Sequence, residues 1–195
     1  MPISILVTGP SRSGKSEFAE RLASRLAAIA DRPVVYIATA RRNPDDPEWQ
    51  ARIEQHCLRR PEAWRTIEAP QDLVGAIEAA NGETRSPCLL VDAFGTWVAN
   101  GLGDDCDTWQ TERDRLVAAI AGYRGDAICV AEETGWGLVP AYPAGRQFRD
   151  RLGELTRAAG AVADRLYLVV AGYAIDVKAA GYAIDAPLDG IELAR

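Results

Sequence analysis

The chain has a single histidine, His56, and no excess of basic charge. One imidazole confines any histidine chemistry to one position. Its 22 Lys and Arg against 28 Asp and Glu give a net charge of −6, and the isoelectric point is about 4.9. Polyanions are held by basic patches, so a nucleic-acid-binding surface is excluded as the main business of the chain, whereas a local basic pocket for a small anion is not. No apolar run approaches the ~18 residues of a membrane span, and the first residues show no basic-then-apolar leader pattern. The four cysteines, Cys57, Cys88, Cys106 and Cys129, form no C-x-x-C pair, and two of them fall in apolar runs. Free thiols in a reducing cytoplasm are the expectation.

What is present is ordinary for a globular enzyme: 48% hydrophobic and 26% charged residues over 195 positions, enough for one full core. Short apolar runs at 3–7, 34–38, 88–91, 127–130 and 165–170 are continuous rather than alternating, as strands buried on both faces are. Helical patterns lie between them. Lys15–Ala30 places Phe18, Leu22, Leu26 and Ile29 on one face, Asp72–Ala80 follows Pro70, Thr108–Tyr123 carries Leu116, Val117 and Ile120, and Phe148–Val162 is the last. The alternation predicts a three-layer α/β domain with a mostly parallel sheet. Arg41–Pro47 and Asn100–Asp107 read as loops within one domain. The expected organisation is a domain over 1–178 and a tail over 179–195, the hexapeptide Ala-Gly-Tyr-Ala-Ile-Asp occurring at 171–176 and again at 180–185.

The strongest motif is Gly9-Pro10-Ser11-Arg12-Ser13-Gly14-Lys15-Ser16, which fits G-x-x-x-x-G-K-[ST]. It stands between a strand and a helix, where its mechanism needs it. The glycines let the backbone turn with its N–H groups inward, and these with the helix dipole make an anion cradle. Lys15 reaches the β- and γ-phosphates of a nucleotide, and Ser16 offers an oxygen to Mg²⁺. Leu89-Leu90-Val91-Asp92 ends a strand on an acid that can hold Mg²⁺ or position a ligand near the phosphates, although many strands end on Asp as a turn residue. His56 lies in a polar stretch with Arg52 and Arg60 about one helical turn to either side. Guanidiniums neutralise phosphate oxygens while an imidazole attacks phosphorus. A surface histidine on a polar helix is the simpler account of those side chains taken alone.

The phosphate loop, Tyr36-Ile37-Ala38-Thr39-Ala40, Arg52-Ile53-x-x-His56, Arg60-Pro61-x-x-Trp64, Leu90-Val91-Asp92-x-x-x-Thr96-Trp97 and Gly135-x-Gly137-Leu138-Val139-Pro140 occur in series. In that order they resemble the bifunctional adenosylcobinamide kinase/adenosylcobinamide-phosphate guanylyltransferase family of cobalamin biosynthesis. The resemblance runs from Ile5 to about Lys178. It implies a P-loop NTPase-type, RecA-like domain. It implies phosphorylation of the aminopropanol hydroxyl of adenosylcobinamide by ATP or GTP, then transfer of GMP from GTP to that phosphate through a guanylylated histidine, here His56. It also implies nucleotide contacts at Gly9, Pro10, Ser11, Arg12, Ser13, Gly14, Lys15 and Ser16, at Ala38, Thr39 and Ala40, at Cys57, Leu58, Arg59 and Arg60, and at Glu68 and Asp92. Mg²⁺ with Ser16 and Asp92, and a homotrimer, are implied as well. Asp92 or Glu68 can accept from the N–H donors of a guanine edge.

The chain departs from the family's pattern at four positions. Glu132 stands where the family usually has Asn, Thr156 and Arg157 replace Asn-Gln, and Ala171 replaces Ser. These segments flank the expected cleft at the strand ends, so they bear on the acceptor rather than on the nucleotide. A kinase of the same fold that has changed its acceptor, or lost guanylyl transfer, is the alternative. Glu133 keeps the family's residue type and is a candidate base or metal contact.

Overall fold

The computed structural model describes residues 1–187. A seven-stranded sheet of order β3-β2-β4-β5-β1-β6-β7 is built from β1 (Ser4–Gly9), β2 (Val34–Ala38), β3 (Arg65–Glu68), β4 (Cys88–Asp92), β5 (Ala127–Glu132), β6 (Arg165–Val170) and β7 (Tyr173–Asp176). All neighbours pair in parallel except β7, which runs antiparallel to β6. The helices are α1 (Lys15–Ala30), α2 (Pro47–Arg59), α3 (Leu73–Asn81), α4 (Phe94–Asn100), α5 (Cys106–Ala121), α6 (Pro143–Val162) and α7 (Val177–Ala180). This is the three-layer α/β arrangement expected for a P-loop domain.

The continuous apolar runs explain the layering. Successive strand residues face opposite sides, so both sides of each central strand need cover. On one face Leu6, Val35, Ile37, Leu89, Val91 and Cys129 pack with Leu73, Leu116, Leu152 and Leu155 from α3, α5 and α6. On the other, Ile5, Val7, Tyr36, Leu90, Ile128 and Val130 pack against α1. There the sequence pattern misleads. The fully covered stripe of α1 is Ala19, Ala23 and Ala27, with Phe18, Leu22 and Leu26 beside it, and Ile29 is exposed. Small side chains let this helix lie close on the sheet, and Ile29 falls on the face turned from it.

Four further differences concern short or polar elements. β3 (Arg-Thr-Ile-Glu) is an exposed edge strand with no apolar run to announce it. α4 follows β4 after one residue and spans only seven. α6 begins at Pro143, five residues earlier than its apolar face suggests, because Pro at a first helical turn is favourable. The first copy of the hexapeptide supplies a turn at Ala171–Gly172 and strand β7, whereas the second forms neither strand nor helix beyond its first residue. The tail expected over 179–195 is seen as far as 187, and its last residues lie outside the described ones.

Strand register assembles one edge. Gly9 pairs with Glu132, Val130 with Asp92, Asp92 with Ala38, and Ala38 with Glu68. The phosphate loop, both carboxylates and the β2 and β3 ends therefore lie together at the C-terminal edge of the sheet. In the chain order, β1 is followed by a jump across two strands to β2, and the chain returns through β4 and β5. Open α/β sheets bind ligands at such a reversal.

Candidate active site

The loop between β1 and α1 is shaped by two glycines. A Cβ on Gly9 would run into the backbone carbonyl of Val169 and lie 2.9 Å from Ser13 Oγ. Gly14 caps α1 with φ 92, in the left-handed region that glycine adopts without penalty. Lys15 is buried, and its Nζ donates to Pro10 O at 3.4 Å. Ser13 is also buried, and its hydroxyl has no hydrogen-bond partner. An orphaned oxygen inside an anion cradle is costly unless a ligand uses it.

Asp92 is the hub of the site. Tyr36 Oη donates to Oδ2 at 2.8 Å, Ser16 Oγ donates to Oδ1 at 3.3 Å, and His56 Nδ1 stands 3.6 Å from Oδ2. Burial by itself pushes this carboxyl up, but His56, Tyr36 and the Lys15 charge outweigh it, so Asp92 is held below the usual carboxylate range. Tyr36 moves the other way. Burial first, then the Asp92 charge, raise its hydroxyl well above the normal tyrosine value, so it stays a donor.

α2 carries His56 to this hub. Asp46 caps the helix by accepting from Trp49 N at 2.9 Å, and Pro47 opens it. None of its residues is buried, so its attachments are polar. Arg59 reaches Glu17 and Glu20 of α1 at 3.5 and 3.2 Å. Arg60 stacks on the Tyr36 ring at 3.8 Å and donates to Thr66 Oγ1 at 3.1 Å. Arg59 Nη2 lies 3.2 Å from His56 Nδ1. The same nitrogen therefore faces a cation that needs its lone pair and an anion that needs its proton. One tautomer cannot serve both.

Two cavities meet at this helix. One of about 600 Å³ is lined by Lys15, Ser16, Ala38, Ala40, Arg42, Cys57, Arg60, Glu68, Asp92 and Glu132 among others. The second, of about 1000 Å³, is lined by the loop residues Arg12, Ser13 and Gly14 and by Arg59. Lys15, Ser16, Trp49, Arg52 and His56 border both. Oxygen donors suited to Mg²⁺ are present, since Ser16 Oγ and Asp92 Oδ1 lie side by side at 3.3 Å. Mg²⁺ keeps waters and phosphate oxygens for its other positions, which fits a site where no three His, Cys, Asp or Glu cluster among the described residues.

Most of the expected residues converge, and several do not face the cavities. Gly9, Pro10 and Ser11 form the loop's entry without lining either cavity. Thr39 is fully buried, and its hydroxyl donates to Ala93 O at 2.6 Å, so its side chain builds the wall behind the site. Leu58 is exposed and lines neither cavity. Glu68 is paired with Arg42 at 3.0 Å on the rim. Sequence reasoning passed over Tyr36 and Trp49 as site residues and took Glu132 only as a departure flanking the cleft. Tyr36 had a signal: a phenol in an otherwise apolar buried strand must find a partner. Trp49 donates its indole N–H to Arg41 O at 2.8 Å and fixes the approach to α2, which no local pattern announces.

Comparison with known proteins places the chain in a family. Residues 5–177 match the family described as cobinamide kinase / cobinamide phosphate guanyltransferase. The bifunctional adenosylcobalamin biosynthesis protein CobP of Pseudomonas aeruginosa is 38% identical over 174 residues, covering 89% of this chain and 96% of that protein. The bifunctional adenosylcobalamin biosynthesis proteins CobU of Escherichia coli and Salmonella typhimurium are 36% and 35% identical over 189 residues, each covering 89% of this chain and 99% of the relative. No helix among the described residues is long and apolar enough to cross a membrane. The chain belongs to the cobinamide kinase / cobinamide phosphate guanyltransferase family.

Proposed function

We propose that this chain carries both activities of its family on one phosphate loop, with His56 as the carrier of the guanylyl group. It is a cobinamide kinase and a cobinamide phosphate guanylyltransferase of adenosylcobalamin biosynthesis. The observation that carries the reading is the place of His56, on the wall shared by the two cavities and beside Lys15 and Ser16.

In the kinase step the loop Gly9–Ser16 and Lys15 hold the triphosphate of ATP or GTP, and the γ-phosphoryl group passes to the acceptor alcohol. Ser16 and Asp92 would hold Mg²⁺, which when bound would supply neutralisation of the phosphate charge. In the transfer step His56 attacks the α-phosphorus of GTP, and diphosphate leaves. The phosphate of the phosphorylated acceptor then displaces the imidazole. A covalent carrier splits the transfer into two displacements, the ring making the first and the acceptor phosphate the second. Nδ1 is the nitrogen occupied by Asp92 and Arg59, so Nε2 is the nucleophile. When Arg59 turns from His56 to the phosphates, Nδ1–H is left to Asp92, and Nε2 keeps its lone pair. Ala38, Ala40, Cys57, Arg60 and Glu68 surround the nucleoside end.

A reducing cytoplasm suits the four free cysteines, of which Cys88 and Cys129 are pushed up to about 12 by burial and stay as inert thiols. A homotrimer is proposed from the family resemblance. Exposed Trp136, Leu138, Val139 and Tyr142, with Tyr173 and Ile175 on edge strand β7, give it apolar surface to cover. Light scattering on the purified chain reads that mass directly.

The functional test separates the two steps in one variant. His56→Asn is expected to phosphorylate cobinamide normally and to accept no label from guanine-labelled GTP. The wild-type adduct should be acid-labile and base-stable, as a phosphoramidate is. Labelling of the variant, or loss of both steps together, would overturn the assignment.

A further inference from the structure

A third cavity, of about 400 Å³, lies between the end of β5 and helix α6, lined by Glu133, Thr134, Arg149, Asp150 and Thr156. It shares one residue, Glu132, with the 600 Å³ cavity that Lys15 and Ser16 also line. Register places Glu132 directly beside Gly9, the first residue of the phosphate loop. Its Oε2 accepts from Gly95 N at 2.8 Å, and the backbone N–H of Glu132 itself also faces the carboxylate. A Cβ on Gly95 would meet that carboxylate and displace it. Thr156 Oγ1, on the far wall of the same cavity, is shielded from solvent with no partner. Neighbouring Glu133 is differently placed. Its Oε1 accepts from Gly135 N at 2.7 Å, and it lines the outer cavity alone.

We infer that Glu132 is the proton acceptor for the alcohol in the kinase step, and that the alcohol arm reaches it through the cavity between β5 and α6. This rests on the proposed function and assigns a role that the nucleotide site does not contain. The acceptor O–H bond breaks, and its proton passes to Oε1 of Glu132. The alcohol oxygen bonds to the γ-phosphorus of the nucleoside triphosphate. The bond from that phosphorus to the β,γ-bridging oxygen breaks, and its electron pair leaves on the nucleoside diphosphate. The cavity takes the hydroxyl-bearing arm, and the body of the larger acceptor stays outside.

The charge environment fits a base. Burial pushes the Glu132 carboxyl up, Lys15 on α1 draws it down, and Asp92 on β4 raises it again. From α6, Arg149, Asp150 and Glu154 line the acceptor cavity, and Gly95 N–H on α4 is its hydrogen-bond donor. A carboxyl raised above its ordinary value is a better proton acceptor.

The test uses the full chain, ATP and cobinamide, with GMP-adduct formation from GTP as an independent readout. Glu132→Gln keeps the shape and the acceptor for Gly95 N–H, so it should fold. We expect its phosphorylation kcat to fall by about 10²–10⁴-fold, with KM for ATP unchanged. The acid limb of its pH–rate profile should vanish, while adduct formation at His56 persists. Phosphorylation at the wild-type rate in Glu132→Gln would overturn the inference, as would a larger loss in Glu133→Gln or an unaltered acid limb. A wild-type chain that forms the adduct yet phosphorylates no cobinamide would instead sink the functional reading beneath it.

Discussion

Replacing Tyr36 with Phe isolates one contact at the centre of the site. The ring stays, so the packing of a side chain only 2% exposed and the stacked Arg60 at 3.8 Å are kept. What is lost is the 2.8 Å bond to Asp92, the shortest of the contacts that hold that carboxylate. A hydrogen bond to a buried charge is worth about 1.5–3 kcal/mol. For a chain of this size each kcal/mol moves Tm by about 2–4 °C, so the variant should melt roughly 3–12 °C lower. The pH dependence fixes the cause. Asp92 is held below its ordinary range in the folded chain, so its contribution is present above the unfolded value and is lost as pH falls through the folded one. Without the Tyr36 donor the folded value rises. The gap between wild type and variant should therefore be full at neutral pH and shrink below about pH 4, as the carboxylate protonates. Urea or thermal denaturation in steps of pH reads both quantities. A variant as stable as wild type at pH 7, or a gap of the same size at every pH, would refute the reasoning.

Lys15→Ala should weaken GTP binding and slow both reactions by about 10²–10³-fold, as loss of one preorganised charge at a phosphate does; nucleotide affinity and turnover by the variant are the check. Gly9→Ala forces a methyl group into the Val169 carbonyl, so chemical denaturation should show a loss of about 1–3 kcal/mol. Leu155→Ala empties a fully buried position in the larger core and should cost about 2–5 kcal/mol in the same assay with GTP affinity retained.

Much of this was legible before any coordinates. The phosphate loop is read from eight residues because its chemistry dictates both residue types and spacing. The sheet is read because strands covered on both faces leave continuous apolar runs. Asp92 follows from its place at the end of such a run. His56 is a different case. Its polar helix buries nothing, so side-chain chemistry alone favoured a surface residue, and only the ordered series of motifs tied it to the loop. The Asp92–Tyr36 bond was hidden because it joins two strands 56 residues apart, and sequence spacing carries no record of register. Glu132 stood out as a departure but not as a site residue, since its importance comes from bordering two cavities. Edge strand β3 left no trace for the opposite reason: its side chains are mostly in water.

Intact mass after incubation with GTP and Mg²⁺ tests the central claim most directly. The account predicts that the wild-type chain gains the mass of one guanylyl group, mapped to the peptide carrying His56, and that His56→Asn gains none. An unmodified wild-type chain at saturating GTP, or a gain that survives in His56→Asn, would contradict it.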